Sequence, residues 1–156
     1  MTHTVARADV EAFYRALGGR DHVTVARYLA EDVEWTIGGP VDLIKFCGTY
    51  RGKATVLDVL ERKIPSILGT RRIVADNLLV DGNRAAALGR LIAEKDNNGR
   101  AISYRLAQFF SFCDGLVIKY CSVLDSFDAV EQMIGHRIDL APGLPAGEVD
   151  SDLFAV

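Results

Sequence analysis

The 156-residue sequence predicts an α+β fold. In the first half, apolar residues recur at helical spacing; from residue 71 to residue 124 they alternate with polar ones between turn signals. Length is a third observation, because a chain of this size buries roughly 70% of its unfolded surface around one core without a metal or disulfide staple. The expected organisation is a single domain over residues 1–135, followed by an extended or disordered arm over residues 136–156, where no period is visible.

Val10, Phe13, Tyr14 and Leu17 stand at i, i+3, i+4 and i+7, the inner stripe of an amphipathic helix that Gly18-Gly19 stop. Asp21 caps a second, shorter helix, since its carboxylate accepts a free backbone N–H and complements the helix dipole. Val25, Tyr28 and Leu29 form its inner stripe, and it ends near Ala30. Val33, Trp35 and Ile37 then alternate with Glu34 and Thr36, the period of a half-buried strand, until Gly38-Gly39-Pro40. Residues 41–51 read as a loop. Gly52 opens a third helix with Val56, Leu57, Leu60 and Ile64 inward, which Pro65 ends or kinks for want of an N–H. Turn signals at Asp81-Gly82, Asp96-Asn97-Asn98-Gly99 and Cys113-Asp114-Gly115 divide the rest into three or four antiparallel strands. Asp125 or Ser126 caps a last short helix through Met133, stopped by Gly135.

Composition narrows the function classes. A formal charge of -3 gives no electrostatic reason for a nucleic-acid partner, and the pairs Arg62-Lys63 and Arg71-Arg72 read as solvated surface. No segment reaches the ~18 apolar residues of a membrane span, and residues 1–13 lack an apolar signal core, so the expected location is cytoplasmic. Cys47, Cys113 and Cys121 are odd in number and lack ligand spacing, which suits free thiols. His3, His22 and His136 are too scattered for a metal triad or a Ser-His-Asp set, and no cofactor is expected.

A three-residue hairpin loop at Cys113-Asp114-Gly115 would pair Phe112 with Leu116, Phe110 with Ile118, Gln108 with Tyr120 and Leu106 with Ser122. One face then carries Tyr104, Leu106, Gln108, Phe110, Phe112, Leu116, Ile118, Tyr120, Ser122 and Leu124, an apolar surface interrupted only by Gln108, Ser122 and two phenols. The opposite face, with Phe109, Cys121 and Val123, is too apolar to stand in water, which points to a homodimer through it.

Several strings carry a resemblance. Ala30-Glu31-Asp32-Val33-Glu34-Trp35, Gly48-Thr49-Tyr50-Arg51-Gly52-Lys53-Ala54 and Asp114-Gly115-Leu116-Val117-Ile118 followed by Asp125-Ser126 occur in an order and spacing similar to the ketosteroid-isomerase-like, SnoaL-like branch of the nuclear transport factor two-like superfamily. The resemblance spans residues 5–134. It implies a cone-shaped curved antiparallel sheet wrapped around the N-terminal helices and enclosing an apolar pocket. Functions on this fold run from isomerases, cyclases, dehydratases and epoxide hydrolases to binding and adaptor proteins, so the fold alone does not choose. Alignment puts Phe13, Ile37 and Gln108 where a ketosteroid isomerase has its tyrosine, base and acid, and Ser122 where an epoxide hydrolase has its last aspartate. Neither of those two mechanisms is expected.

The expected ligand is a small apolar molecule with a polar head, contacted by Trp35, Tyr50, Tyr104, Gln108, Phe110, Tyr120 and Ser122. Gln108 either pairs with Tyr120 as a satisfied core contact or orients a ligand carbonyl or hydroxyl. Asp76 is the one acidic candidate for a catalytic base, facing inward if Asp81-Gly82 makes a two-residue turn that pairs Asp76 with Ala87. Arg90 and Glu94 are expected outside. Cys47 reads as a small buried hydrophobe rather than a nucleophile. The implied activity is cofactor-free isomerisation, cyclisation or hydration by general acid/base catalysis, and the alternative is a non-catalytic binding or adaptor domain.

Overall fold

A computed structural model describes residues 4–94 and 100–139, so most of the expected C-terminal arm lies outside the described residues. Helix α1 (Arg7–Gly19) includes both glycines and stops at Arg20, which takes a left-handed conformation and returns its N–H to Ala16 and Leu17. Helix α2 (His22–Tyr28) is capped as expected, with the Asp21 carboxylate accepting from the Thr24 N–H. Six strands follow: β1 (Leu29–Gly38), β2 (Gly48–Arg51), β3 (Arg71–Asp81), β4 (Arg84–Glu94), β5 (Ala101–Cys113) and β6 (Leu116–Leu124). Helix α5 (Ser126–Ile134) closes the described chain, capped by Asp125.

The strands form one sheet in the order β2-β1-β6-β5-β4-β3, and its two ends do not meet. All pairs are antiparallel except β1 with β6. That parallel pair is possible because a long crossover through the other elements separates the two strands. Bulges in β1, β3 and β6 bend the sheet. The helices fill its concave side, with Val10, Phe13, Leu17 and Val25 in the same buried core as Val33, Trp35, Phe110 and Phe112.

Three local readings are corrected and one is refined. Residues 48–51 form a strand, β2, because Tyr50 and Thr49 pair with Trp35 and Thr36 of β1; four residues are too few for periodicity to show. Pro65 breaks the third helix, as expected: helix α3 (Lys53–Asp58) widens into a π-helical segment (Val59–Lys63), and a separate helix α4 (Pro65–Leu68) opens at Pro65, a position that tolerates a residue without an N–H.

The closing hairpin has a two-residue turn with Asp114 (φ 49°) and Gly115 (φ 78°) both left-handed, so Cys113, not Phe112, pairs with Leu116. A bulge then skips Ile118, and from there Phe110 faces Tyr120, Gln108 faces Ser122 and Leu106 faces Leu124. The two differences cancel in parity: Tyr120, Ser122 and Leu124 point inward as expected, while Leu116 and Ile118 are 37% and 40% exposed.

The β3–β4 turn falls on Gly82-Asn83, with Asp81 opposite Arg84, so Ala87 pairs with Leu78 and not with Asp76. Ala87 and Leu91 are buried on the inner face as expected. Asp76 is the bulge residue between Ala75 and Asn77, without a ladder partner.

Candidate functional site

The inner face of the sheet holds two polar groupings. The first is a hydrogen-bonded chain. The Tyr14 hydroxyl donates to Gln108 Oε1 at 2.7 Å, and Gln108 Nε2 donates to the Tyr120 hydroxyl at 2.7 Å. Gln108 is fully buried, and both ends of its amide are paired with protein. Tyr14 reaches it over Gly89, where a Cβ would sit 3.2 Å from the phenol oxygen and closer still to Val74 O. Burial pushes the Tyr14 and Tyr120 phenols upward; the Ser122 hydroxyl and the Gln108 amide partly offset this at Tyr120.

The second grouping surrounds a cavity of about 40 Å³ lined by apolar side chains, among them Leu17, Ile37, Phe46, Leu60 and Leu106. Its polar-bearing walls are Trp35, Arg71, Tyr104, Tyr120 and Ser122. Trp35 stacks on Tyr120 with ring centroids 3.7 Å apart and planes 15° from parallel, and Tyr120 in turn packs against Phe110. Trp35 Nε1, Tyr104 OH and Arg71 Nη1 are buried and have no hydrogen-bond partner. Burial raises the Tyr104 phenol and lowers the Arg71 guanidinium to about 10, so both are protonated at neutral pH. Among the described residues no aspartate, glutamate or histidine lines this cavity.

Of the residues singled out from the sequence, Trp35, Tyr104, Tyr120 and Ser122 come together around the cavity, whereas Gln108 and Phe110 lie in the core beside it. Tyr50 is half-buried at the sheet edge, where its hydroxyl donates to Phe46 O at 2.9 Å and accepts from Lys63 Nζ at 3.0 Å. Asp76 is exposed, with its carboxylate 3.9 Å from Arg90 Nε. Cys47 is buried and its thiol is pushed up to about 11, as a hydrophobe's surroundings would do. Among the described residues no cluster of three His, Cys, Asp or Glu side chains is placed to hold a metal ion.

Two residues escaped the sequence reading. Tyr14 stood in the inner stripe of the first helix, and a phenol on such a stripe needs a partner, which is a usable signal. Arg71 is corrected from surface to interior: it is 7% exposed. Its pairing with Arg72 suggested a basic patch, but adjacent strand residues point to opposite faces, and only Arg72 is in water.

The SnoaL-like domain family matches residues 10–120, and the chain belongs to it. No curated protein matches the chain. Among solved structures, a candidate isomerase from Rhodopseudomonas palustris shares 33% identity over 81% of this chain and 93% of its own, with a TM-score of 0.68. A nuclear transport factor two-like protein of unknown function from Burkholderia pseudomallei shares 24% over 85% and 96%, with a TM-score of 0.70. An epoxide hydrolase from M. tuberculosis shares 19% over 82% and 88%, with a TM-score of 0.65, a likeness of fold. The curved sheet and apolar interior are those of this superfamily. Among the described residues no helix is long and apolar enough to cross a membrane.

Proposed function

We propose that the protein binds a small apolar molecule through a hydrogen-bond acceptor, a carbonyl or hydroxyl oxygen, and polarises that group as a cofactor-free isomerase, cyclase or hydratase would. The observation that carries this reading is the pair of donors Trp35 Nε1 and Tyr104 OH, buried without partners in the wall of an apolar cavity. A buried donor left unpaired costs about 1–3 kcal/mol, and an oxygen brought by a ligand relieves that cost. The Tyr104 phenol, held protonated by burial, is a hydrogen-bond donor able to stabilise negative charge that develops on that oxygen. The likeness to the candidate isomerase at 33% identity supports the same class. A carboxylate base is the missing half of general acid/base catalysis, since Asp76 stands exposed at its bulge in the middle of β3. Among the described residues the cavity wall holds no acid, and that favours the second reading, a binding domain without turnover.

The test uses the single tryptophan, whose indole N–H gives one resonance in a ¹⁵N spectrum. Titration with 3-methylbutan-2-one, a small apolar ketone, is expected to move that resonance, and Tyr104→Phe to weaken the effect about 5- to 10-fold, the worth of one hydrogen bond. An indole resonance that no small ketone or alcohol moves would refute the reading.

The same proposal takes the protein as a cytoplasmic homodimer joined through the outer sheet face. Two apolar rows cross that face, Leu88–Ala107–Val123 and Ala86–Phe109–Cys121, in ladder register. Phe109 and Val123 are 54% and 56% exposed. Light scattering at micromolar concentration should give twice the chain mass, and Phe109→Glu should give one; a wild-type monomer would remove the dimer from the proposal.

A further inference from the structure

Arg71 is the first residue of β3, and its guanidinium is held from one side only. Nη2 donates to Leu60 O at 3.1 Å. That carbonyl is free because of a local accident of sequence. In the π-helical segment the Ile64 N–H bonds Val59 O rather than Leu60 O, and the next residue in line, Pro65, has no N–H to give. Leu60 O would otherwise be an unpaired acceptor, and the arginine fills it. Nη1 has no partner at all.

The charge is also uncompensated. No ion pair among the described residues includes Arg71; the neighbouring charge is Arg20, which opposes it. A buried cation without a counter-ion is among the most costly arrangements in a protein interior, and it persists where something else neutralises it. In the same cavity wall stand two further unpaired donors, Trp35 Nε1 and Tyr104 OH, with apolar neighbours and, among the described residues, no acidic side chain. Three unpaired donors on the residues of one cavity wall, one of them charged, match an anion and repel a second cation. The cavity of about 40 Å³ has room for one planar head group.

We infer that the counter-ion of Arg71 arrives with the ligand: Arg71 Nη1, Tyr104 OH and Trp35 Nε1 form a carboxylate-recognising head-group site, and the pocket takes an apolar carboxylate. This rests on the proposed pocket function and narrows it from an acceptor oxygen to an anion. A carboxylate offers two oxygens to three donors and a single charge to a single guanidinium, which a phosphate with its greater charge does not match.

The experiment compares isobutyrate with 3-methylbutan-2-one, which have nearly the same outline, in titrations of the Trp35 indole resonance at neutral pH. Isobutyrate is expected to bind about 10- to 100-fold more tightly, the range for a charge-assisted hydrogen bond. Arg71→Met should abolish that preference while leaving the ketone within about twofold. Arg71→Gln, which retains a donor for Leu60 O, is the second variant should the first not fold, and is expected to lose the preference equally. Equal binding of both probes to the parent, or a preference for isobutyrate that survives either substitution, would overturn the carboxylate site and leave the pocket standing. An indole resonance that neither probe moves would overturn both.

Discussion

The two polar groupings on the inner face of the sheet differ in one respect that decides their roles. In the chain Tyr14–Gln108–Tyr120 each linking group finds a partner within the protein. A few side chains away, Trp35 Nε1, Tyr104 OH and Arg71 Nη1 find none. Both groupings are buried and both are surrounded by apolar side chains, so burial does not separate them. Satisfaction does. The paired chain is a fastening between α1 and the sheet, and the unpaired cluster is the one proposed to take its partner from a ligand.

The largest expected effect tests what the two share. The phenols of Tyr14, Tyr104 and Tyr120 are all raised above their ordinary value of 10.0 by burial. A folded-state value above the unfolded one means that the native protein holds protons the unfolded chain releases, so the stability they contribute is complete below pH 10 and is lost as pH rises beyond it. Arg71, lowered to about 10, acts in the opposite sense. Three phenols, together with the Cys47 thiol that burial also raises, outweigh one guanidinium and leave a net loss of stability as pH rises above 10. Phenolate absorbance for these three tyrosines should therefore appear together with loss of the near-ultraviolet circular dichroism. Phenolates that form while the fold persists would show that water reaches them.

Gln108→Leu divides the two groupings. It leaves the Tyr14 and Tyr120 hydroxyls without their amide partner and should lower stability by about 2–5 kcal/mol in urea unfolding, with the affinity for a pocket ligand changed little. Loss of affinity without loss of stability would move Gln108 into the site.

The smallest effect is a difference of sign. Tyr14→Phe removes a donor that Gln108 uses and should cost about 1–2 kcal/mol, whereas Tyr104→Phe removes a hydroxyl that nothing uses and should be neutral or stabilising by about 1 kcal/mol without ligand. If both substitutions destabilise alike, Tyr104 OH has a partner in the free protein and the distinction between the regions fails.

Much of the fold was legible in the chain because it is written in local periods. The inner stripes of the first two helices, the alternation at Val33, Trp35 and Ile37, the caps at Asp21 and Asp125, and the strings that resemble the SnoaL-like family all follow from residues close together in sequence. The alternation of β5 placed Tyr104, Gln108 and Phe110 on one face, and the buried positions agree.

What the tertiary structure alone decided were the quantities that depend on counting across a turn or on a distant partner. The bulges at Asp76 and Ile118 each insert one residue, which inverts a face, and a single insertion leaves no mark in apolar spacing. Gln108 finds Tyr14, 94 residues away, and Arg71 turns inward because Pro65 leaves the Leu60 carbonyl free. Neither pairing has a period or a motif. A hydrophobic pattern reports which side of an element avoids water, but whether a buried polar atom is satisfied depends on atoms that only folding brings within 3 Å or so of it.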